Sequence, residues 1–148
     1  MTECLIGLNL LGLGPNAYMD YRRKEISLFI TASYGVAGLV TQIALGQLGS
    51  GIMICLLPGA VSLLLSYVTK EQIGYGDGLL LLALGCNLTP VMMWEVCFGA
   101  LALSGLWALY LLGIKHRSRR YEMAFVPFLL AAYILTQALQ LVVWNYGS

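Results

Sequence analysis

The chain contains two aspartates, Asp20 and Asp77, and both stand where an acid is costly. Asp20 closes the apolar stretch LIGLNLLGLGPNAYMD, and Asp77 sits in GYGDG, directly against LLLLALG. An ionisable group beside a membrane-length apolar segment is expensive and marks a functional site. Two carboxylates close together in a poorly solvated place cannot both ionise easily, so they share a proton. Such a pair titrates as a unit. One carboxylate then serves as general base on a water, and its protonated partner polarises or protonates a scissile amide. That chemistry needs no metal, serine nucleophile or cofactor. Gly74 and Gly76 carry no side chain, so a substrate backbone can lie close to Asp77 and a loop here can adopt φ > 0.

Rival readings of GYGDG fit less well. A dinucleotide fingerprint needs a third glycine where Leu79 stands. A phosphate-binding P-loop needs Gly-Lys-Ser/Thr, which this stretch lacks. A calcium loop needs more oxygen ligands.

The elements that position the aspartates follow from composition. Hydrophobic residues make up 59% of the 148, charged residues 10%, and the formal net charge is +1. A mean hydropathy of +0.81 does not suit a soluble domain of this size. Apolar stretches of about 17 to 25 residues are the signature of membrane-spanning helices. The near-neutral balance speaks against nucleic-acid binding, which needs a clustered basic face. The N-terminus opens MTECLIG, with Glu3 where a basic region would precede a cleavable signal, so no signal peptide is expected.

The pattern predicts one all-α membrane domain over residues 1–148, with about six spans. The first runs from Cys4 to Tyr18 and is interrupted by Pro15 and Asn16. The second runs from Ile26 to Gly46, the third from Gly51 to Val68, the fifth from Pro90 to Ile114 and the sixth from Met123 to Trp144. The fourth, from Gly78 to Asn87, is too short to cross alone and either extends back through GYGD or merges with its neighbour.

Charge sets the sidedness. Every Lys and Arg falls in one of three alternate connections: Arg22, Arg23 and Lys24; Lys70; and Lys115, Arg117, Arg119 and Arg120. The other two connections, QLGSG and CNLTP, carry no charge. An excess of Lys and Arg marks the cytoplasmic side, so the N-terminus is expected outside and both aspartates at the cytoplasmic boundary. Tyr18, Tyr21, Tyr67, Tyr75 and Tyr121 fall at the inner ends, and Trp94 and Trp144 at the outer ends, as interfacial belts do.

Several other residues read as structural. Cys4, Cys55, Cys86 and Cys97 form no CxxC, which argues for apolar packing rather than a disulfide framework or a zinc site. His116 lies in the basic run KHRSRR and reads as a solvated loop residue. Glu95, beside Trp94, reads as an interfacial or protonated structural acid. Arg22 either holds Asp20 in its charged state or anchors topology. Tyr75 reads as an interfacial anchor first and a site residue second. Gly35, Gly38, Gly46, Gly51, Gly59, Gly99 and Gly105 suit close helix packing.

On these motifs the chain resembles the type IV prepilin peptidase family of intramembrane aspartyl proteases. The first element is DYRRKEI, with Asp20, Arg22 and Ile26; the second is the GxGD box, Gly74-Tyr75-Gly76-Asp77; the third is AFVPFLLA, with Pro127 and Phe128. The resemblance implies that Asp20 and Asp77 are the catalytic pair and that Gly74 and Gly76 shape the site, with Tyr75, Arg22 and Pro127 near it. It implies a multi-pass protein of a prokaryotic inner membrane that removes a short basic leader from prepilin-like precursors, at the cytoplasmic face and typically after a glycine. Four positions depart from the pattern. Ser27 stands for a common proline, Leu79 for a common lysine, and Val126 and Ala124 for the glycine and first proline of the late segment. The paired-CxxC insert of larger members is missing from the sequence, so no N-methyltransferase activity is expected. Presenilin-like enzymes share GxGD but use a contiguous Tyr-Asp, whereas Met19 separates Tyr18 from Asp20 here. The competing expectation is a non-catalytic membrane scaffold of a pilus or secretion system derived from such a peptidase.

Overall fold

The computed structural model of the chain describes residues 2–23, 26–44, 46, 49, 51–69, 74–113 and 124–146. Lys24, Lys70, Lys115, His116, Arg117, Arg119, Arg120 and Tyr121 lie outside the described residues, as do the side chains of Cys4 and Trp144. All regular structure among the described residues is helical: α1 (Thr2–Arg23), α2 (Leu28–Ala44), α3 (Gly51–Val68), α4 (Tyr75–Gly85), α5 (Pro90–Gly113) and α6 (Val126–Tyr146). Among them, α3, α5 and α6 are long and apolar enough to cross a membrane by length and composition, and α2 and α4 are shorter apolar helices.

The molecule is solvated as a membrane protein is. Phe29, Met53, Leu64, Phe98, Leu106, Leu139 and Val143 are exposed, while Asn9, Asn16, Thr31, Ser66 and Asn87 are buried. In lipid, apolar surface needs no cover, and polar side chains turn inward to find partners.

Neighbouring helices run up and down. Asn16 meets Thr31 and Asn9 meets Tyr34, so α1 and α2 are antiparallel. Gly59 approaches Leu82 and Gly78 approaches Leu63, so α3 and α4 are antiparallel as well. Gly35 lies against Ala83 and Gly38 against Asn87, so α2 and α4 run parallel. Gly99 lies against Ala132 and Trp107 against Phe128, so α5 is antiparallel to α6. One end of the bundle therefore collects the end of α1 and the starts of α2, α4 and α6, and with them both aspartates.

Helix α4 is the central element. Gly78, Leu80, Leu81, Ala83, Leu84 and Gly85 are all buried, as befits a helix that is apolar all round. Eleven residues rise only about 16 Å. The helix tolerates this because protein rather than lipid surrounds it. The turn that follows is buried too, at Cys86, Asn87 and Leu88, whereas the sequence suggested a plain external connection. Its backbone is satisfied internally. Cys86 N–H donates to Leu82 O at 3.2 Å, Asn87 N–H to Leu84 O at 2.9 Å, and the Asn87 side chain to Ala83 O at 2.9 Å. Irregular backbone at membrane depth is possible where protein covers it in this way.

Two expectations change. Helix α1 is continuous through Pro15, not interrupted there. Pro15 removes one N–H and so leaves the Leu11 carbonyl without its helical donor, which membrane helices tolerate. The adjacent Asn16 side chain ties this turn to α2, donating to Gly12 O at 3.0 Å and to Thr31 Oγ1 at 3.2 Å. The GYGD segment is not a loop with φ > 0. Gly74 is the N-cap of α4 at φ −57°, and Tyr75, Gly76 and Asp77 form its first turn. The positive φ found among the described glycines is at Gly46, at 64°.

Candidate active site

Asp20 lies in the last turn of α1 and is 7% exposed. Its Oδ2 accepts the backbone N–H of Val126, the first residue of α6, at 2.9 Å. The sequence separation is 106 residues, so this contact is a product of the fold. Asp77 lies three residues past the N-cap of α4, at the rim and ahead of the apolar run that starts at Leu79. Its N–H donates to Gly74 O at 3.1 Å.

The two carboxylates act on each other. Burial first, and the Asp20 charge second, hold the Asp77 carboxyl far above the usual range, from an ordinary 3.8 to about 7. A buried acid next to a second carboxylate behaves in this way because each charge disfavours the other and the site is poorly solvated.

The glycines of the GxGD box serve close approach. A Cβ on Gly74 would sit 3.1 Å from Asp77 Oδ2, so any side chain there would press on the carboxylate. A Cβ on Gly76 would lie 3.0 Å from Ile26 Cβ, so the residues just ahead of α2 pack on the first turn of α4. A Cβ on Gly78 would lie 2.8 Å from the Leu63 side chain and 3.0 Å from its backbone nitrogen. These notches seat α4 against its neighbours and fix the depth of Asp77.

The other predicted residues take different places. Arg22 is exposed and stacks over the Tyr18 ring at 5.6 Å, which gives it a rim position on its own helix. Tyr75 is 54% exposed and stands with exposed Tyr18, Tyr21 and Tyr67 around the same end of the bundle. Pro127 is the second residue of α6, next to the amide that holds Asp20. Glu95 is at the opposite end, exposed, and accepts from the Gln140 side chain at 3.4 Å. The groove that it lines with Gly99, Ala132 and Gln140 runs between α5 and α6, away from the aspartates.

Sequence reasoning missed two features. Val126 contributes a backbone N–H, which leaves no trace in residue type, although the proline beside it marks a helix start. The second is a buried polar cluster that ties α1, α2 and α6 together. Asn9 donates to the Tyr133 hydroxyl at 3.1 Å and accepts from the Tyr34 hydroxyl, and Gln137 donates to Tyr133 at 3.1 Å. An asparagine inside an otherwise apolar stretch was the available signal.

No curated protein and no solved structure gives a significant match to this chain. A family model does: the type IV leader peptidase family matches residues 7–139, from the first turns of α1 to the outer half of α6. With that match across nearly the whole bundle, the chain belongs to the type IV leader peptidase family.

Proposed function

We propose that this protein is a membrane-embedded aspartic endopeptidase that cuts prepilin-like precursors with the Asp20/Asp77 pair. The observation that carries the reading is the coupling of two acids at one end of the bundle, one buried and one whose carboxyl is pushed up to about 7. Membership of a leader peptidase family supports peptidase activity in general. The ring of exposed tyrosines around the aspartates supports a site at a membrane boundary. The basic connections predicted at that end favour the cytoplasmic face of an inner membrane.

The reaction is an amide hydrolysis. The ionised carboxylate takes a proton from water as the water oxygen bonds to the scissile carbonyl carbon. The protonated partner gives its proton to the leaving nitrogen as the C–N bond breaks. One water is consumed, and a carboxyl on the leader and a new N-terminal amine on the mature chain result. The proton now sits on the other aspartate, and its return resets the pair. A substrate with a short basic leader ahead of an apolar helix fits a pair at this depth, because the helix stays in lipid while the leader stays in water.

The test is co-expression with a tagged prepilin-like substrate, whose size is followed in membranes. The wild type shortens the substrate, and Asp20→Asn and Asp77→Asn each abolish shortening. A variant that still cuts would overturn the assignment of the pair. A wild type that cuts none of several prepilin-like substrates would favour a scaffold derived from a peptidase.

A further inference from the structure

The N-terminal turn of α6 is built to present one amide to Asp20. The Phe125 carbonyl accepts both Phe128 N–H at 3.0 Å and Leu129 N–H at 3.2 Å. Pro127 has no N–H. Val126 opens α6, so its N–H has no carbonyl within the helix, and it donates to Asp20 Oδ2 at 2.9 Å. Val126 itself is fully buried, so water does not compete for that amide. A helix N-terminus carries partial positive charge, and a backbone N–H donated to a carboxylate favours its ionised form.

We infer that Val126 is a positioning residue whose amide keeps Asp20 ionised, which makes Asp20 the carboxylate of the pair and Asp77 its acid. Asp77 stands in the first turn of α4, whose N-cap Gly74 offers no side-chain cap, and there burial and the Asp20 charge push its carboxyl up to about 7. Asp20 has further partners besides this amide. Of the elements packed on α1, α2 carries Tyr34 as its titratable residue, held by Asn9, and α6 carries Tyr133 in the same cluster and Tyr146 at its far end. Asp77 of α4 faces Asp20. On α1 itself, Arg22 stacks on Tyr18, and Arg23 is exposed. The inference rests on the proposed function only for its catalytic meaning: Asp20 would then be the base that takes the proton from water, and Asp77 the acid that serves the leaving nitrogen.

Two aspartates in the whole chain make the test direct. With side-chain carboxyl-labelled aspartate, Asp77→Asn protein holds a single labelled carboxyl, that of Asp20, whose titration is followed by NMR in detergent. Val126→Pro deletes the amide while leaving a residue tolerated at the first helical position. Val126→Ala trims the side chain and keeps the amide. The Asp20 midpoint is expected to rise by about one pH unit in Val126→Pro, the size of one hydrogen bond to a charged group, and to stay in place in Val126→Ala. Equal midpoints in the two variants would overturn the inference. Should Val126→Pro fail to fold, the Val126 amide proton of the Asp77→Asn protein decides: its chemical shift is expected to titrate with the Asp20 carboxyl. An amide shift that does not move across the Asp20 midpoint would overturn the inference. The titration needs no substrate, so a wild type that cuts nothing sinks the peptidase reading while the midpoints still judge the role of α6.

Discussion

Asn9 of α1 and Tyr133 of α6 meet at 3.1 Å, with the Tyr34 hydroxyl of α2 donating to the same asparagine. Tyr133 is fully buried and Asn9 nearly so. One asparagine thus ties three helices, and lipid offers no substitute partner for either phenol. Interhelical hydrogen bonds in membranes contribute about 0.6 to 2 kcal/mol each. Asn9→Ala strands the Tyr34 hydroxyl and leaves Tyr133 with Gln137, so it should destabilise the fold by about 1–3 kcal/mol, and Tyr133→Phe, which takes the acceptor from both the Asn9 and the Gln137 amides, should cost a similar amount. The double variant should cost less than the two singles together, since they share a contact. Unfolding in mixed micelles measures all three, and strict additivity would mean that the cluster is not a unit.

The glycines divide into two sorts. Gly85 lies so close to the Cys55 carbonyl oxygen that a Cβ could not be placed without moving backbone. Gly59 lies 2.6 Å, by its would-be Cβ, from the Leu82 nitrogen. Gly85→Ala and Gly59→Ala should each cost about 1–3 kcal/mol through overpacking of α3 on α4. Gly105 and Gly7 have nothing within 4 Å. Gly105→Ala and Gly7→Ala should gain up to about 1 kcal/mol from helix propensity. Thermal midpoints in detergent separate the sorts, and a loss at Gly105 comparable to that at Gly85 would contradict the packing.

The raised Asp77 carboxyl has a signed consequence for stability. Below about 3.8 the acid is protonated in both folded and unfolded chains. As pH rises from there to about 7, the unfolded chain releases the proton freely while the folded one retains it. Stability therefore falls across that window and levels above it. Asp77→Asn removes this loss, so its melting temperature should exceed that of the wild type above the window and converge with it below. Under the paired-acid mechanism, cleavage should also fade as pH rises through about 7, where the shared proton is lost. A constant difference in melting temperature at all pH values would show that burial does not perturb Asp77.

The aspartates were legible because charge is rare in this chain and stands out against apolar runs. The bounds of α3 were legible for a similar reason: Gly51–Val68 is an unbroken apolar length with turn residues ahead of it. The first turn of α4 was legible only as one of two alternatives, an extension of the short span back through GYGD, because Gly-Tyr-Gly-Asp has poor helix propensity and its packing against Ile26 is not written in the sequence. Pro15 misled as well, since α1 runs through it unbroken. The role of Arg22 was left open between two readings, and its stacking on Tyr18 places it at the rim. Partners such as Asn9 and Tyr133, or Asp20 and the Val126 amide, were out of reach because periodicity says which face is buried but not what it meets.

Gly76 and Ile26 offer a test of how finely Asp77 must be placed. A Cβ at position 76 would lie 3.0 Å from Ile26 Cβ and 3.1 Å from its Cδ1, so even alanine asks the isoleucine to yield. Valine asks for more, and the strain falls on the first turn of α4, one residue from the carboxylate. A small misplacement of a reacting group lowers the chemical step far more than it lowers binding. Gly76→Val should therefore reduce kcat for prepilin cleavage by at least about tenfold, equivalent to about 1.4 kcal/mol of barrier, with KM little changed. The second substitution Ile26→Ala removes the opposing atoms and should restore most of the rate, while Ile26→Ala alone should have a small effect. If the double variant stays as slow as Gly76→Val, the isoleucine is not what excludes a side chain here. Gly76 would then be reserved for the approach of the substrate backbone to Asp77, and KM rather than kcat would carry the loss.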